Sequence, residues 1–374
     1  MTRVLIAGVS TRALAESAAR AGYDVVAIDG FGDLDLRACA RTVTLARAGA
    51  RFSIRNALAA ARAVRRDATC YVASFENHPA AVETLVGGGP VWGNTPAVLA
   101  RVRDPVRLAR ALVARGMPTP AVRRAGPPGG ASRRWLVKPR ASGGGSGIVS
   151  WRGGRIPIGS YLQQRVVGVP GSVVFVADGR RVVLLGVSRA LAGERAFGAT
   201  GLKYSGSILL DPEEPLFGNA LRLAEAVTAE FGLVGVNGID FVAAHGIPLA
   251  VEVNPRYTAS MELIERAFGI SIFKAHERAC AGSLPDSQVP RRHSATWGKA
   301  VVYARRAVTP SSTERWLADP DLRDVPAAGE PIAPGRPICT IFARAPDPER
   351  CVVELARRAA ALYSTLERRE ARIA

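Results

Sequence analysis

Residues 238–256 read Gly-Ile-Asp-Phe-Val-Ala-Ala-His-Gly-Ile-Pro-Leu-Ala-Val-Glu-Val-Asn-Pro-Arg. Two apolar runs flank a turn at Gly246, which predicts a β-hairpin. In that register Asp240 faces Glu252, and side-chain alternation puts Glu252 and Asn254 on one face. Carboxylates directly opposite each other repel. A divalent cation between them reverses that effect.

The oxygen atoms of Asp240, Glu252 and Asn254 suit Mg²⁺, which takes one or two carboxylates together with phosphate and water. We therefore predict a metal site on this hairpin. The alternative is a solvated hairpin face without an ion.

A lysine and a run of glycines precede the hairpin. Lys138 ends an apolar strand, and the loop after it contains Gly143, Gly144, Gly145, Ser146 and Gly147. Glycine lets backbone N–H groups approach an anion closely, and lysine adds a point charge. No Gly-Lys-Ser/Thr follows, so this is not a Walker A loop. We predict a phosphate-binding loop; the alternative is a flexible hairpin turn.

The amino-terminal segment predicts an α/β fold. Residues 3–8 and 23–28 are apolar runs on either side of a helical stretch, which is typical of a doubly wound parallel sheet. The turn between them lacks GxGxxG, so a dinucleotide fingerprint is not supported. Arg12 in this turn is a candidate anion and substrate contact, and simple capping of the helix by Ser10 is the alternative.

Composition narrows the class of protein. At ~100–200 residues per domain, 374 residues predict two or three domains. The net charge of +18 suggests a nucleic-acid binder, but 46 of the 50 basic residues are arginines spread along the chain. We interpret this as an arginine bias and expect no nucleic-acid partner; a polyanion-binding surface is the alternative.

The apolar runs are shorter than the ~18 residues of a membrane span, so we expect a cytoplasmic protein without a membrane partner.

Together, the lysine, the glycine loop, the pair Gln163–Gln164 and the run from Asp240 to Arg256 resemble the ATP-grasp superfamily over essentially the whole chain. The chain is similar to its carboxylate–amine ligases, including the tyramine–glutamate and pyrrolysine-pathway types. Its opening also resembles ATP-grasp proteins of methanopterin- or methanofuran-type cofactor pathways. The domains implied are a doubly wound parallel-sheet domain (1–100), a linker helix and lid (101–165), an α+β subdomain with the metal site (166–290) and a small α/β extension (291–374).

The resemblance also implies roles for individual residues. The implied ATP contacts are Lys138, Gly143, Gly144, Gly145, Ser146, Gly147, Gln164 and the backbone near Val166. The implied ligands of Mg²⁺, or of Mn²⁺ in its place, are Asp240, Glu252 and Asn254. Arg256 would stabilise the transferred phosphoryl group or the substrate carboxylate. Many relatives carry a second nucleotide-contacting lysine after an aspartate, but here Asp104 precedes Pro105, so Arg103 or Arg107 replaces it or the contact is absent.

Three further residues are candidates for a functional role. Lys203 is a candidate for binding an acyl phosphate, or is a solvated lysine. Ser260 starts a helix and is a candidate oxyanion contact, or only a cap. Glu76 follows a strand end, where doubly wound folds bind ligands, and is a candidate substrate contact.

The resemblance implies an ATP- and Mg²⁺-dependent ligase that activates a carboxylate as an acyl phosphate and couples it to an amine. The absence of a GxSxG elbow agrees with a reaction that needs no protein nucleophile. A homodimer is expected from the habit of the family. The alternatives are a carboxylase-like enzyme that activates bicarbonate and a non-catalytic nucleotide or nucleic-acid binder.

Overall fold

The computed structural model describes residues 1–45, 52–126, 134–286 and 295–370, with side chains to residue 367. The strands of these ranges form three sheets. The first is parallel, has the order β3-β2-β1-β4 and consists of β1 (Arg3–Ala7), β2 (Asp24–Asp29), β3 (Arg41–Thr44) and β4 (Ala68–Tyr71).

Helices cover both faces of this parallel sheet. Val4 and Ile6 of β1 pack with residues of α1 and α2, whereas Leu5 and Ala7 pack with residues of α3 and α4. This alternation confirms the predicted doubly wound arrangement, since an inner parallel strand is apolar on both faces. The four helices are α1 (Arg12–Arg20), α2 (Leu34–Cys39), α3 (Ile54–Ala61) and α4 (Pro79–Val86).

Two linking helices, each with a proline in its first turn, lead to a small antiparallel sheet. They are α5 (Pro96–Val102) and α6 (Pro105–Ala114). Asp104 caps α6 by accepting hydrogen bonds from the N–H groups of Val106 and Arg107. The small sheet has the order β5-β8-β6-β7 and consists of β5 (Val122–Arg123), β6 (Trp135–Pro139), β7 (Val149–Ser150) and β8 (Ser160–Gln164).

The third sheet is antiparallel, with eight strands in the order β13-β12-β9-β10-β11-β14-β16-β15. It joins residues 169–254 to residues 296–345, so the expected division at 290–291 does not separate two sheets; β14 pairs directly with β11. Its strands are β9 (Val169–Asp178), β10 (Val182–Ala192), β11 (Tyr204–Leu209), β12 (Val234–Ala244), β13 (Ile247–Asn254), β14 (Thr296–Tyr303), β15 (Leu322–Arg323) and β16 (Pro337–Ala345).

Four helices accompany the large sheet: α7 (Leu216–Phe231), α8 (Ala259–Phe268), α9 (Ile272–Cys280) and α10 (Pro348–Glu370). One apolar core holds Ile6 and Leu14 of the amino-terminal domain together with Met261 of α8 and Phe273 of α9. The parallel sheet is therefore packed firmly against the large sheet. In the part of the chain that the structure describes, no helix is long and apolar enough to cross a membrane.

His276 of α9 is buried between the two domains. Its Nδ1 accepts a hydrogen bond from the Val236 N–H at 3.0 Å, and its Nε2 lies 3.1 Å from the Trp92 carbonyl oxygen. Burial lowers the pKa of His276 to about 4, only partly offset by the Trp92 hydrogen bond. The neutral imidazole therefore joins the parallel sheet to the large sheet.

We expect His276 to make stability depend on pH. An unfolded histidine has a pKa of about 6.5, so the unfolded state binds more protons as the pH falls toward 4. The free energy of unfolding relative to His276→Gln should fall by about 3 kcal/mol between pH 7 and pH 4. Chemical denaturation of both proteins at the two pH values measures this. A difference that stays constant with pH would contradict the assignment.

Candidate functional site

The β12–β13 hairpin has the predicted register at its end away from the turn. Asp240 pairs with Glu252 and Gly238 pairs with Asn254. A β-bulge then shifts the register, and the pairing passes over Val251. The turn follows at His245 and Gly246, with φ of 51° and 74°, as two-residue hairpin turns require.

The bulge places the Val251 carbonyl oxygen against two side chains of the small sheet. The Lys138 ammonium donates to it at 3.4 Å and the Gln163 amide at 3.2 Å. Lys138 also donates to the Gln163 side-chain oxygen at 3.0 Å. Burial lowers the pKa of Lys138, against the opposing effect of Glu252 and Asp240. The lysine of the predicted lid thus lies beside the predicted metal site.

The structure favours Gln163 over Gln164 as the glutamine of the site. Gln163 is buried, whereas Gln164 is exposed and its side-chain oxygen accepts from the Ala121 N–H at 3.3 Å. Adjacent residues on a strand point to opposite faces, so only one of the pair faces Lys138. Val166 lies in the connection between β8 and β9 and stays a prediction.

The two carboxylates of the hairpin have opposite pKa shifts. Burial and the neighbouring charge of Glu252 raise the pKa of Asp240. Burial alone would raise the pKa of Glu252 too, but the charges of Arg103 and Lys138 lower it. Asp240 accepts a hydrogen bond from the Asn254 amide at 2.9 Å. Nearby positive charges therefore compensate the negative charge of Glu252, and they compensate that of Asp240 much less.

Arg103 is the cation on Glu252. Its Nη1 lies 2.6 Å from Glu252 Oε1 and 2.8 Å from the Val253 carbonyl oxygen, and its Nη2 donates to Asn77 at 2.6 Å. Of the two arginines expected to replace the missing lysine, Arg103 therefore lies at the site, whereas Arg107 is exposed on α6.

Arg256 lies next to the metal-site residues and is held by Glu76. Its Nε and Nη2 donate to Glu76 Oε1 at 2.9 and 2.7 Å, and its Nη2 also lies 3.3 Å from Asn254 Oδ1. Glu76 is 1% exposed, and its Oε2 has no hydrogen-bond partner among the described residues. The expected substrate contact Glu76 instead orients Arg256.

The glycine loop closes over the large sheet. The Gly144 carbonyl oxygen accepts a hydrogen bond from the Tyr204 N–H at 3.0 Å. Gly145 has φ of 76°, and a Cβ there would overlap the Leu202 carbonyl oxygen. Glycine at 145 is therefore required both by the backbone conformation and by this close approach.

One cavity of about 490 Å³ brings most of the expected residues together, within the ~300–1,000 Å³ typical of ligand sites. The expected residues that line it are Arg12, Lys138, Gly143, Gly144, Gly145, Asp240, Glu252, Asn254, Arg256 and Ser260. Those that do not are Glu76, Ser146, Gly147, Gln164, Val166 and Lys203. The Lys203 ammonium instead donates to the Gly335 carbonyl oxygen and lies 3.9 Å from the centre of the Tyr303 ring.

Two of the lining residues have protein partners that the sequence did not predict. Arg12 is 1% exposed; its Nη1 and Nη2 both bond Glu262, and its Nε donates to Asp324 at 2.9 Å. Because the guanidinium nitrogens of Arg12 bond protein carboxylates, Arg12 is not the anion contact that the sequence predicted. Ser260 lies 3.2 Å from the Thr258 hydroxyl, inside the first turn of α8.

Sequence reasoning missed the other functional candidates on the far wall of the cavity: Asp33, Glu262, Lys299 and Asp324. Lys299 donates to Glu262 at 2.8 Å. The sequence offered a signal for Lys299, because only four lysines occur in the chain and Lys299 is one of them.

Comparisons with known proteins agree with this architecture. Residues 102–260 match the family model described as an ATP-grasp domain. No curated protein sequence matches the chain. Among solved structures, an L-amino acid ligase from Bacillus licheniformis has a TM-score of 0.68 at 15% identity, covering 96% of this chain and 97% of that one.

Carboxylases are similarly close in structure. Campylobacter jejuni biotin carboxylase has a TM-score of 0.70 at 14% identity, covering 94% of this chain and 89% of that one. Rhizobium etli pyruvate carboxylase has a TM-score of 0.73 at 16% identity, covering 96% of this chain but 37% of that one. At these identities the likeness is one of fold. The chain therefore shares the fold of these structures, and within it residues 102–260 match the ATP-grasp domain model.

We expect Gly145→Ala to prevent closure of the loop, whereas Gly218→Ala, on α7 outside the cavity, is its control. A Cβ at the exposed Gly218 meets nothing within 4 Å, and its φ is not positive. Overlap with a backbone carbonyl should weaken Mg–ATP binding about tenfold, measured by calorimetry. Equal affinities of the two variants would count against a closing loop.

Proposed function

We propose that the protein is an ATP- and Mg²⁺-dependent ligase that activates a carboxylate as an acyl phosphate and couples it to an amine. The observation that carries the proposal is the meeting of Lys138, the Asp240–Glu252 pair and Arg256 in one cleft beneath the glycine loop. Acidic oxygens that suit a metal and cations that suit phosphate oxygens thus line the same cleft, which supports the proposal.

The donor set fits Mg²⁺ bound together with a nucleotide. Among the described residues, no group of three histidine, cysteine, aspartate or glutamate side chains is arranged to hold a metal by itself. Mg²⁺ does not need one, because it is usually held by one or two carboxylates plus phosphates and water. Asp240, whose carboxylate lacks a cationic partner at hydrogen-bond distance among the described residues, and Glu252 would hold the ion. Bound there, Mg²⁺ supplies charge neutralisation on the phosphates.

The protein groups then act by position and charge. Lys138, at the end of β6, neutralises phosphate oxygens from the lid side. Arg256, fixed in direction by Glu76, faces the transferred phosphoryl group or the substrate carboxylate. The glycine loop excludes water above them. Lys138, Arg256 and Gly144 of the loop each have a hydrogen-bond partner in the cleft already.

The proposed reaction has two steps. An oxygen of the substrate carboxylate attacks the γ-phosphorus of ATP, the bond to the β,γ-bridging oxygen breaks, and ADP leaves. The amine nitrogen then attacks the acyl carbon, phosphate leaves with the bonding electrons, and the nitrogen loses a proton. No group of the protein is covalently modified.

Activation of bicarbonate is the second candidate, because two of the similar folds are carboxylases. ADP release that depends on bicarbonate and needs no amine would favour it. The narrower resemblance to tyramine–glutamate and pyrrolysine-pathway ligases, a role in methanopterin- or methanofuran-type cofactor synthesis, and a homodimer remain predictions.

We expect Glu252→Gln to abolish ATP turnover because it removes one of the two metal-binding carboxylates. A screen of acids and amines for ADP release, with mass detection of the amide, identifies the wild-type reaction. In that assay the variant should lose at least about 100-fold in kcat. The exposed Glu349→Gln is the control. Near-normal turnover of Glu252→Gln would overturn the metal assignment.

A further inference from the structure

The far wall of the cleft carries a carboxylate that has no partner among the described residues. Asp33 lines the cavity beside Asp324 and is 7% exposed. Its side chain makes no hydrogen bond and no ion pair with any described residue. A buried carboxylate is unfavourable unless it is paired, so Asp33 lacks the partner that its position calls for.

The other carboxylates nearby are all paired. Glu262 is bonded by Arg12 and Lys299, and Asp324 by the Nε of Arg12. Asp35 accepts hydrogen bonds from the backbone N–H groups of Asp324 and Val325, at 2.8 and 3.0 Å. Arg12 and Lys299 are thus engaged with other acids, and no cation among the described residues bonds Asp33.

Asp33 is also fixed in place. Asp29 accepts hydrogen bonds from the N–H groups of Phe31 and Gly32 at 2.6 and 2.7 Å, which sets the loop before Asp33. After it, the Leu34 N–H donates to the Val325 carbonyl oxygen at 2.8 Å. This keeps Asp33 close to Asp324, and burial and the charge of Asp324 raise the pKa of Asp33. These contacts hold the backbone on both sides of Asp33, whose side chain lines the cavity.

We propose that Asp33 and Asp324 bind a primary ammonium group of the substrate, with its apolar body against Phe31, Val72 and Ile338. This rests on the proposed ligase function, which needs an amine in the same cleft. The site lies at the carboxyl ends of β1, β2 and β4, where doubly wound sheets bind ligands. An ammonium supplies the positive charge and the N–H donors that Asp33 lacks. The group belongs either to the amine substrate or to an amino group on the acid.

Small probes test the site without nucleotide. Saturation-transfer NMR on the full chain measures binding of butylamine against 1-butanol, and of 4-aminobutanoate against butanoate. We expect the ammonium compounds to bind and their uncharged or anionic counterparts not to. Butylamine binding assigns the site to the amine substrate, whereas binding of 4-aminobutanoate alone assigns it to an amino group on the acid.

Asp33→Asn keeps the shape of the side chain and removes its charge. It should weaken ammonium binding at least about tenfold, with little change in Tm, because the Asp33 side chain has no hydrogen-bond partner among the described residues to lose. Asp286→Asn, which removes an exposed carboxylate outside the cleft, is the matched control and should bind as the wild type does. Ammonium binding that Asp33→Asn retains, or that both variants lose equally, overturns the proposal.

Glu252→Gln separates this inference from the proposed function. That variant should lose Mg–ATP binding and keep butylamine binding. A wild type that binds Mg–ATP but distinguishes neither amine from alcohol nor 4-aminobutanoate from butanoate refutes the ammonium site alone. A wild type that binds ammonium probes at Asp33 but never turns over ATP refutes the ligase alone.

Discussion

The repulsion between Asp240 and Glu252 is the constraint around which the cleft is organised. Opposed carboxylates on paired strands are unfavourable, and the hairpin holds them in register. The cations that compensate them come from different parts of the chain: Lys138 from the small sheet and Arg103 from the end of α5. Assembly of the site therefore requires the lid, the linking helices and the large sheet to come together.

A second layer of buried ion pairs connects the amino-terminal domain to this cleft. Glu76 holds Arg256, and Arg12 holds Glu262. Such pairs contribute little net stability, since burial of both charges offsets their attraction. Breaking one leaves an uncompensated buried charge, so they hold the domains in one relative position. Arg12 and Glu76 thus act on the cleft through residues of another domain.

Local sequence patterns predicted the hairpin. They did not predict contacts between residues that are far apart in the chain. The turn at Gly246 predicted the pairing of Asp240 with Glu252, which the structure has on the far side of the β-bulge. The choice between Gln163 and Gln164 needed the face of a strand whose partners the sequence does not reveal. Arg12 and Glu262 are 250 positions apart, and no local period relates them. The sequence showed which charges exist but not which ones neutralise each other.

Anomalous diffraction from crystals grown with Mn²⁺ and ADP would show whether a divalent ion lies between the two hairpin carboxylates. We expect an anomalous peak about 2.0–2.2 Å from oxygens of both Asp240 and Glu252. Arg103 should then no longer contact the Glu252 carboxylate. Nucleotide bound in the cleft with no peak there, and with Arg103 still on Glu252, would contradict the account.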